Sequence, residues 1–448
     1  MSATPLHVLI IGAGTGGLCL AHGLKRAGIS VAVYERDRTR ADGLHGYRVG
    51  IDPDGSRALH ACLPPELYDT FVATCARAPR YLNMLTEGLN EFLSLPVPAP
   101  TDPIESEKSV SRMTLRQILL TGVEEIVHFD KMFVRYEQGT DGKVTAHFAD
   151  GTSATGDLLI AADGTNSRVR RQYFPEARLE DSGILAIAAK LPLTQETGAL
   201  LPPKVFNGIS LIFAPKGYSC IVHVMEFKWG RDRALKQGIG GSDAALIGRW
   251  PGLLYDNTAD YINWGFSAAA RHFPSDLMQL SGEDLIRLTL AMTPNWHPHL
   301  RELFRRGDPT TCFAINIRTS VPLPPWRPSN VTLLGDAIHT MTPGRGVGAN
   351  TALRDADLLR HKLIAVRDGH MALLPAIGDY EAQMREYGFD AVLKSREQMD
   401  GNAAIHKPII GRAVLAGMRT GMRVVNAVPL LKRRIADNMM QYRGAERA

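Results

Sequence analysis

The residues of this chain with chemistry to offer fall into three groups, each pairing glycine with a carboxylate behind an apolar run. The first is His7-Val8-Leu9-Ile10-Ile11, then Gly12, Gly14, Thr15 and Gly17 in G-x-G-x-x-G spacing, with Glu35-Arg36 closing a second run, Val31–Tyr34. The second is Asp163-Gly164, after Asp157–Ala162. The third is Gly335-Asp336, after Val331–Leu334, followed by Pro343-Gly344-Arg345-Gly346-Val347-Gly348-Ala349-Asn350. In the first group Gly12 permits a tight turn, Gly14 lets the backbone approach a pyrophosphate, and Gly17 lets the next helix lie close to the strand. The helix start adds free N–H groups and a positive dipole end for phosphate. Glu35 then stands where an acid accepts from ribose hydroxyls. This spacing alone does not separate FAD from NAD. The third group does more: a carboxylate at a strand end suits a ribityl hydroxyl, and N–H donors of a glycine-rich loop suit the pyrimidine edge of a flavin, which turns negative on reduction. Three such groups in this order point to an FAD site assembled from distant segments.

The elements that must hold these residues are strands and helices in alternation. Residues 7–11 and 31–34 read as buried parallel strands flanking a helix over 17–27 that stops at Gly28. A helical stretch is expected over 55–76, a hairpin over Tyr81–Leu95 around Glu87-Gly88, a helix from Met113 to Leu120, and a second hairpin through Asp141-Gly142. Ile184–Leu191, Ile209–Ala214, Ser219–Phe227 and Tyr261–Ser267 are rich in β-branched and aromatic residues and read as a separate sheet. Helices are expected over 283–292, 299–305, 350–367, 377–400 and 409–440. The fold class is therefore α/β: a Rossmann-like FAD-binding domain with an inserted β-meander, a sheet-based substrate domain, and a C-terminal helical segment. The expected boundaries are 1–175 and 326–390 for the two parts of the FAD-binding domain, 176–325 for the substrate domain, and 391–448 for the helical segment.

Composition excludes several classes. With 448 residues, 45% hydrophobic and 22% charged, the chain has material for two or three globular domains. The net charge of +5 is uneven, because residues 401–448 hold nine Lys and Arg against Asp437 and Glu446. No platform of aromatic and basic residues supports nucleic-acid binding. The five cysteines are scattered without a C-x-x-C pair, so no metal site is expected, and buried thiols in a reducing cytosol are. The apolar run near the N-terminus reads as a strand and not a signal peptide, and no stretch approaches the ~18 apolar residues of a membrane span. A cytoplasmic location follows. A helix closing the substrate domain is favoured over a peripheral membrane helix for the basic C-terminal segment.

The three groups together resemble the single-component FAD-dependent aromatic hydroxylases, the group of para-hydroxybenzoate hydroxylase, salicylate hydroxylases and antibiotic-tailoring monooxygenases. The motif resemblance covers residues 6–180 and 320–365, and the middle domain by layout. It implies that Gly12, Gly14, Thr15, Gly17, Glu35 and Arg36 hold the ADP half of FAD. It makes Arg112, in Ser111-Arg112-Met113-Thr114-Leu115, the arginine that reaches the cofactor. Asp163 matches the element shared by FAD and NAD(P)H contacts, Gly335 and Asp336 the ribityl contact, and Pro343, Gly346, Gly348, Ala349 and Asn350 the flavin-edge loop. Gly46 and Arg48, in His45–Gly50, occupy another flavin-lining segment. Val347 and Ile338 depart from the glutamine and alanine that many members carry. The implied reaction consumes NAD(P)H and O2 through a C4a-hydroperoxyflavin and hydroxylates or epoxidises an aromatic or polycyclic small molecule, with secondary metabolism as an expected setting.

No catalytic base follows from the residues. His45, Lys190 and His223 are the candidates, with His339 a further histidine expected near the flavin. Tyr218, His223, Met225, Trp264 and Phe266 are candidate pocket residues, although sheet packing explains the apolar ones equally well. Two other readings stay open: a flavin-dependent reductase or dehydrogenase on the same scaffold, and a flavoprotein serving as a redox-sensing or interaction module.

Overall fold

The computed structural model describes residues 6–40, 48–97, 102–228 and 259–442. Its strands in chain order are β1 His7–Ile11, β2 Ser30–Tyr34, β3 Arg48–Ile51, β4 Tyr81–Thr86, β5 Glu91–Pro96, β6 Lys108–Ser111, β7 Val127–His128, β8 Phe133–Gln138, β9 Val144–Phe148, β10 Ser153–Gly156, β11 Leu158–Ala161, β12 Leu179–Pro192, β13 Gly208–Ala214, β14 Tyr218–Met225, β15 Tyr261–Ala269, β16 Phe313–Ser320 and β17 Val331–Leu333.

One sheet is parallel, in the order β17-β11-β1-β2-β7. Its central strands β1 and β11 are apolar runs because both faces are covered; Val8 to Ile10 and Leu158 to Ala161 are fully buried. Helix Thr15–Arg26 carries the chain from β1 to β2 and packs against helix Gly348–Arg367. The chain leaves β1 for β2 on one side, while β11 lies on the other. The carboxyl end of β1 is thus the switch point at which open α/β sheets take ligands. The strands β10-β9-β8 form the expected meander, turning through Gly142 at φ +80°.

The second sheet has seven strands, β16-β12-β15-β14-β13-β4-β5, all antiparallel neighbours except β13 and β4. One face packs on helices Gly282–Met292 and Pro298–Arg305. There Trp264, Phe266 and Val222 meet Leu285, Trp296, Leu300 and Phe304. Burial of a side chain such as Phe266 is worth on the order of 2–3 kcal/mol. The opposite face stays partly open, with Leu82, Met84, Ile209, Leu211, Phe213 and Ile221 half-buried. Helix Ile410–Ala427 covers that face near the β5 edge, through Met418, Met422 and Val425.

Several expectations change. The stretch 55–76 divides into helices Pro53–Cys62 and Pro65–Thr74, because Pro65 has no N–H and suits only a first helical turn. The stretch 409–440 likewise divides at Pro429, into Ile410–Ala427 and Pro429–Tyr442. Strand β16 was not anticipated. The hairpin β4–β5 belongs to the large sheet and not to the cofactor-binding half, so a boundary at 175 cuts across one sheet. Helix Leu373–Gln398 runs through the boundary drawn at 390.

Candidate active site

Glycine and acid groups from all three signatures follow the carboxyl ends of adjacent strands. Glu35 follows β2, Gly12 follows β1, Asp163 lies two residues beyond β11, and Gly335 lies two beyond β17. Neighbouring strands lie about 4.8 Å apart, so residues as far apart in the chain as Gly12 and Gly335 line one sheet edge.

The glycine loop shows which of its members serve the fold. Gly12 has φ +108°, and a Cβ there would fall 2.5 Å from the Ala162 carbonyl oxygen. A Cβ on Gly17 would collide with the Gly12 oxygen and approach Ala162 Cβ at 3.0 Å. Gly14 differs: the nearest atom a Cβ would meet is Ala162 O, at 3.8 Å. Protein packing therefore does not demand glycine at 14, while a cofactor backbone would. Helix Thr15–Arg26 has no side-chain cap on its first N–H groups, which stay available to an anion. Glu35 is buried and holds the loop: Oε2 accepts from Ala13 N at 2.6 Å and Oε1 from Asp37 N at 3.0 Å. Each oxygen keeps a lone pair for a ribose hydroxyl. Arg36 is exposed beside it.

At the third signature Gly335 sits at φ 60°, ψ −144°, a conformation open to glycine alone. Its N–H donates to Asp355 Oδ2 at 2.7 Å. The same oxygen meets His339 Nε2 at 2.6 Å, and Asp355 Oδ1 accepts from Tyr387 OH at 2.6 Å. Burial pulls the His339 pKa down, but the charge and hydrogen bond of fully buried Asp355 outweigh it and raise it overall. His339 thus braces the strand end through Nε2, while its buried Nδ1 has no hydrogen-bond partner. Asp336 itself is accessible, yet deep within the protein's mass. Desolvation raises its pKa, opposed by His339, Arg112 and Arg170. Arg112 is exposed at the start of helix Arg112–Leu120 and within electrostatic reach of that carboxylate. Ser167 caps helix Arg168–Tyr173, and Asp163 Oδ2 also accepts from Arg168 N at 2.8 Å, while its buried Oδ1 has no hydrogen-bond partner.

Two residues brace the site, and only Arg170 lacked a signal in the sequence. Arg170 is buried and donates to Ala337 O at 2.7 Å and Thr165 O at 2.7 Å, tying the second signature to the third. Asn350, expected to meet the cofactor, spends its side chain on protein: Nδ2 donates to Gly50 O at 2.9 Å, and Oδ1 accepts from Asp52 N at 3.0 Å. It fastens the ribbon β3–β6 to the loop Pro343–Gly348, in which Gly346 is left-handed at φ 65°. Ala349 and Gly348 open the helix that carries Asn350, again without a side-chain cap. The ribbon carries Arg48, whose Nε donates to Ser109 Oγ at 2.9 Å. His45 and Gly46 lie outside the described residues.

The large sheet sorts the pocket candidates by parity. Cross-strand partners share a face. Trp264 pairs with Val222 and Ala189, and Phe266 with Cys220 and Ile187, all in the helix-facing core. Tyr218 packs there too, 5.4 Å from the Phe266 ring. These three are enclosed on the side away from the open face. On the open face one row runs Lys190, Asn263, His223, Ile209. Met225 and Tyr261 pair on the same face, with Lys190 Nζ 5.1 Å from the Tyr261 ring centre. His223 Nδ1 and Asn263 Oδ1 are buried without a hydrogen-bond partner. Burial, reinforced by Arg48, holds the His223 pKa well below 6.5, so the ring is neutral at pH 7. Asn263 is a candidate that residue-type reasoning did not single out; its place in the row with His223 and Lys190 appears only in the strand register.

The fold is that of several solved structures. A structure from Photorhabdus luminescens described as a FAD containing monooxygenase is 35% identical, with TM-score 0.76, covering 90% of this chain and 100% of that one. This chain belongs to the FAD-dependent monooxygenases. A family model for the FAD binding domain matches residues 5–48 and 292–387, which include the first and third signatures. Among curated relatives of this monooxygenase family, a dual O-methyltransferase/FAD-dependent monooxygenase of Cercospora beticola is 34% identical over 401 residues, 86% of this chain and 45% of that protein. The chain thus spans about half the length of the first relatives it matches. The FAD-dependent urate hydroxylase of Klebsiella pneumoniae is 28% identical over 88% of this chain and 90% of its own length. The free side of Gly14, the uncapped helix starts, accessible Asp336 and Arg112, and unpartnered Asp163 Oδ1 fit FAD as the cofactor of this family member.

Proposed function

We propose that this chain is a monooxygenase that uses FAD, NAD(P)H and O2 to hydroxylate or epoxidise an aromatic or polycyclic small molecule in the cytoplasm. The observation that carries the reading is the open face of the large sheet. It is apolar along Leu82, Met84, Ile209, Leu211 and Ile221, and carries a polar row whose His223 Nδ1 and Asn263 Oδ1 have no protein partner. Such a surface takes a flat apolar molecule and anchors it at one polar edge. FAD, when bound, supplies the electron transfer from NAD(P)H and the activation of O2. The chain's own residues do the rest. Gly14 and the start of helix Thr15–Arg26 seat the pyrophosphate, Glu35 the ribose, and Asp336 and Arg112 the ribityl chain. Neutral His223 and Asn263 take a hydroxyl or ring N–H of the substrate and fix which edge points inward. The apolar face excludes water, which protects reactive oxygen from side reactions. Five buried free thiols accord with a reducing compartment.

The test is rapid-mixing reduction of the bound flavin by NADPH and NADH across phenols, indoles and polycyclic aromatics, with product analysis under labelled O2. The expected outcome is substrate-accelerated reduction and one labelled oxygen atom in the product. Equal reduction with every compound and with none, and no label incorporated, would replace this reading with that of a reductase.

A further inference from the structure

Seven of the fourteen exposed large apolar side chains among the described residues fall in one short segment: Ile409, Ile410, Val414, Val424, Val428, Leu430 and Leu431. Ile409 is 84% and Leu430 81% exposed, so these side chains project from the surface. Helix Ile410–Ala427 turns Leu415, Met418, Met422 and Val425 toward the protein. A second stripe, Ile410, Val414, Gly417, Gly421, Val424 and Val428, recurs every three to four residues on another face. Nothing lies within 4 Å of where a Cβ on Gly417 or Gly421 would stand, so this stripe is open along its length. The helix therefore has two apolar faces, and the fold uses one.

Charge identifies what the other face meets. From residue 401 to 436 the sequence has seven Lys and Arg and no carboxylate. Arg419 is taken up by Glu87, on the side packed to the sheet. Lys407, Arg412, Arg423 and Arg434 make no ion pair among the described residues, and all are exposed. A second copy of this chain would set these cations against their own kind. An anionic lipid surface would accept both features, with aliphatic side chains entering the headgroup boundary and cations lying over lipid phosphates and carboxylates. Among the described residues no helix is long and apolar enough to cross a membrane, so the contact is one of lying on the surface.

We propose that the helix pair Ile410–Ala427 and Pro429–Tyr442 docks this protein on anionic membranes. The same helix covers the β5 edge of the open face described above, so the lipid surface would lie beside the face proposed to take an apolar substrate.

The experiment is flotation of the full-length, FAD-loaded protein with vesicles of phosphatidylcholine alone or with 30% phosphatidylserine. Wild type should float with the anionic vesicles, lose most binding at high salt, and ignore the neutral ones. Val424→Asp with Leu430→Asp should abolish flotation, and Arg412→Glu with Arg423→Glu should weaken it roughly fivefold or more per residue. All four positions are exposed, so flavin content and melting temperature should stay at wild-type values, which keeps folding out of the result. Wild type that floats with no vesicle, or variants that float as well as wild type, overturns the proposal. A dimer in light scattering that Val424→Asp dissolves, without vesicle binding, assigns the face to a second copy instead.

Discussion

Replacing Gly14 by alanine separates the fold from the cofactor site. The residue has φ −83° and ψ 179°, which alanine adopts without strain. Its new methyl would meet only Ala162 O, at 3.8 Å, an ordinary contact. The apoprotein should lose less than about 0.5 kcal/mol, the scale of a substitution away from special features. Bound FAD is another matter, because the methyl occupies the face offered to the pyrophosphate. Forcing an extra methyl into a filled space costs about 1–3 kcal/mol, and the middle of that range is roughly a 30-fold rise in Kd. Gly17→Ala is the contrasting control. Its methyl would strike the Gly12 oxygen and Ala162 Cβ, so the apoprotein itself should be destabilised. The measurements are thermal melting of both apoproteins and FAD titration by quenching of flavin fluorescence. If apo Gly14→Ala melts with wild type and also binds FAD as tightly, Gly14 does not face the cofactor and the assignment of the loop is wrong.

Three further outcomes follow from the site. Asp336→Ala should weaken FAD by about 2 kcal/mol, the worth of a charged hydrogen bond, yet leave the apoprotein as stable or more so, since desolvation raises that carboxyl in the folded chain; a lower apo melting temperature would contradict this. His339→Leu should destabilise even the apoprotein by about 3–5 kcal/mol, because it leaves the Asp355 carboxylate buried without its countercharge; a loss under 1 kcal/mol in urea unfolding would remove the positioning role. His22 is buried and held to a pKa of about 4 by burial, against the pull of the Leu119 carbonyl. Its folded value lies below the unfolded 6.5, so its contribution is intact above pH 6.5 and is lost as the pH falls toward 4, amounting to about 3 kcal/mol. His22→Gln should flatten the melting-temperature profile over that window, and an unchanged slope would show that other groups govern acid unfolding.

What the sequence made legible was local. Gly12, Gly17 and Glu35 could be read because a strand, a turn and a helix start lie within thirty residues, and each residue's task is set by its neighbours. The central parallel strands could be read because burial on both faces leaves apolar runs. Residues whose partners lie far along the chain were not legible. Asn350 looked like a ligand contact, but its side chain is spent on Gly50 and Asp52, some 300 positions earlier. Arg170 carried no motif, since its acceptors Thr165 and Ala337 belong to different signatures. Trp264 and Phe266 looked like pocket lining because aromatic content does not state which face a residue takes. Register decides that, and a shift of one residue exchanges the faces. The same register revealed Asn263 beside His223.

The interleaving of the two sheets sets the order in which this chain can become a protein. Strand β1 can pair with β2 and β11 early in synthesis, but β17 emerges about 170 residues after β11, a delay of roughly ten to thirty-five seconds at ordinary ribosome speeds. The hairpin β4–β5 waits similarly for β13. Through that interval the nascent chain carries unpaired strand edges and half of a nucleotide site. Neither sheet can be completed from a fragment ending near residue 175. Truncations at that apparent boundary should yield aggregating polypeptide, and recombinant yield should respond to slower translation or chaperone supply more than to added flavin.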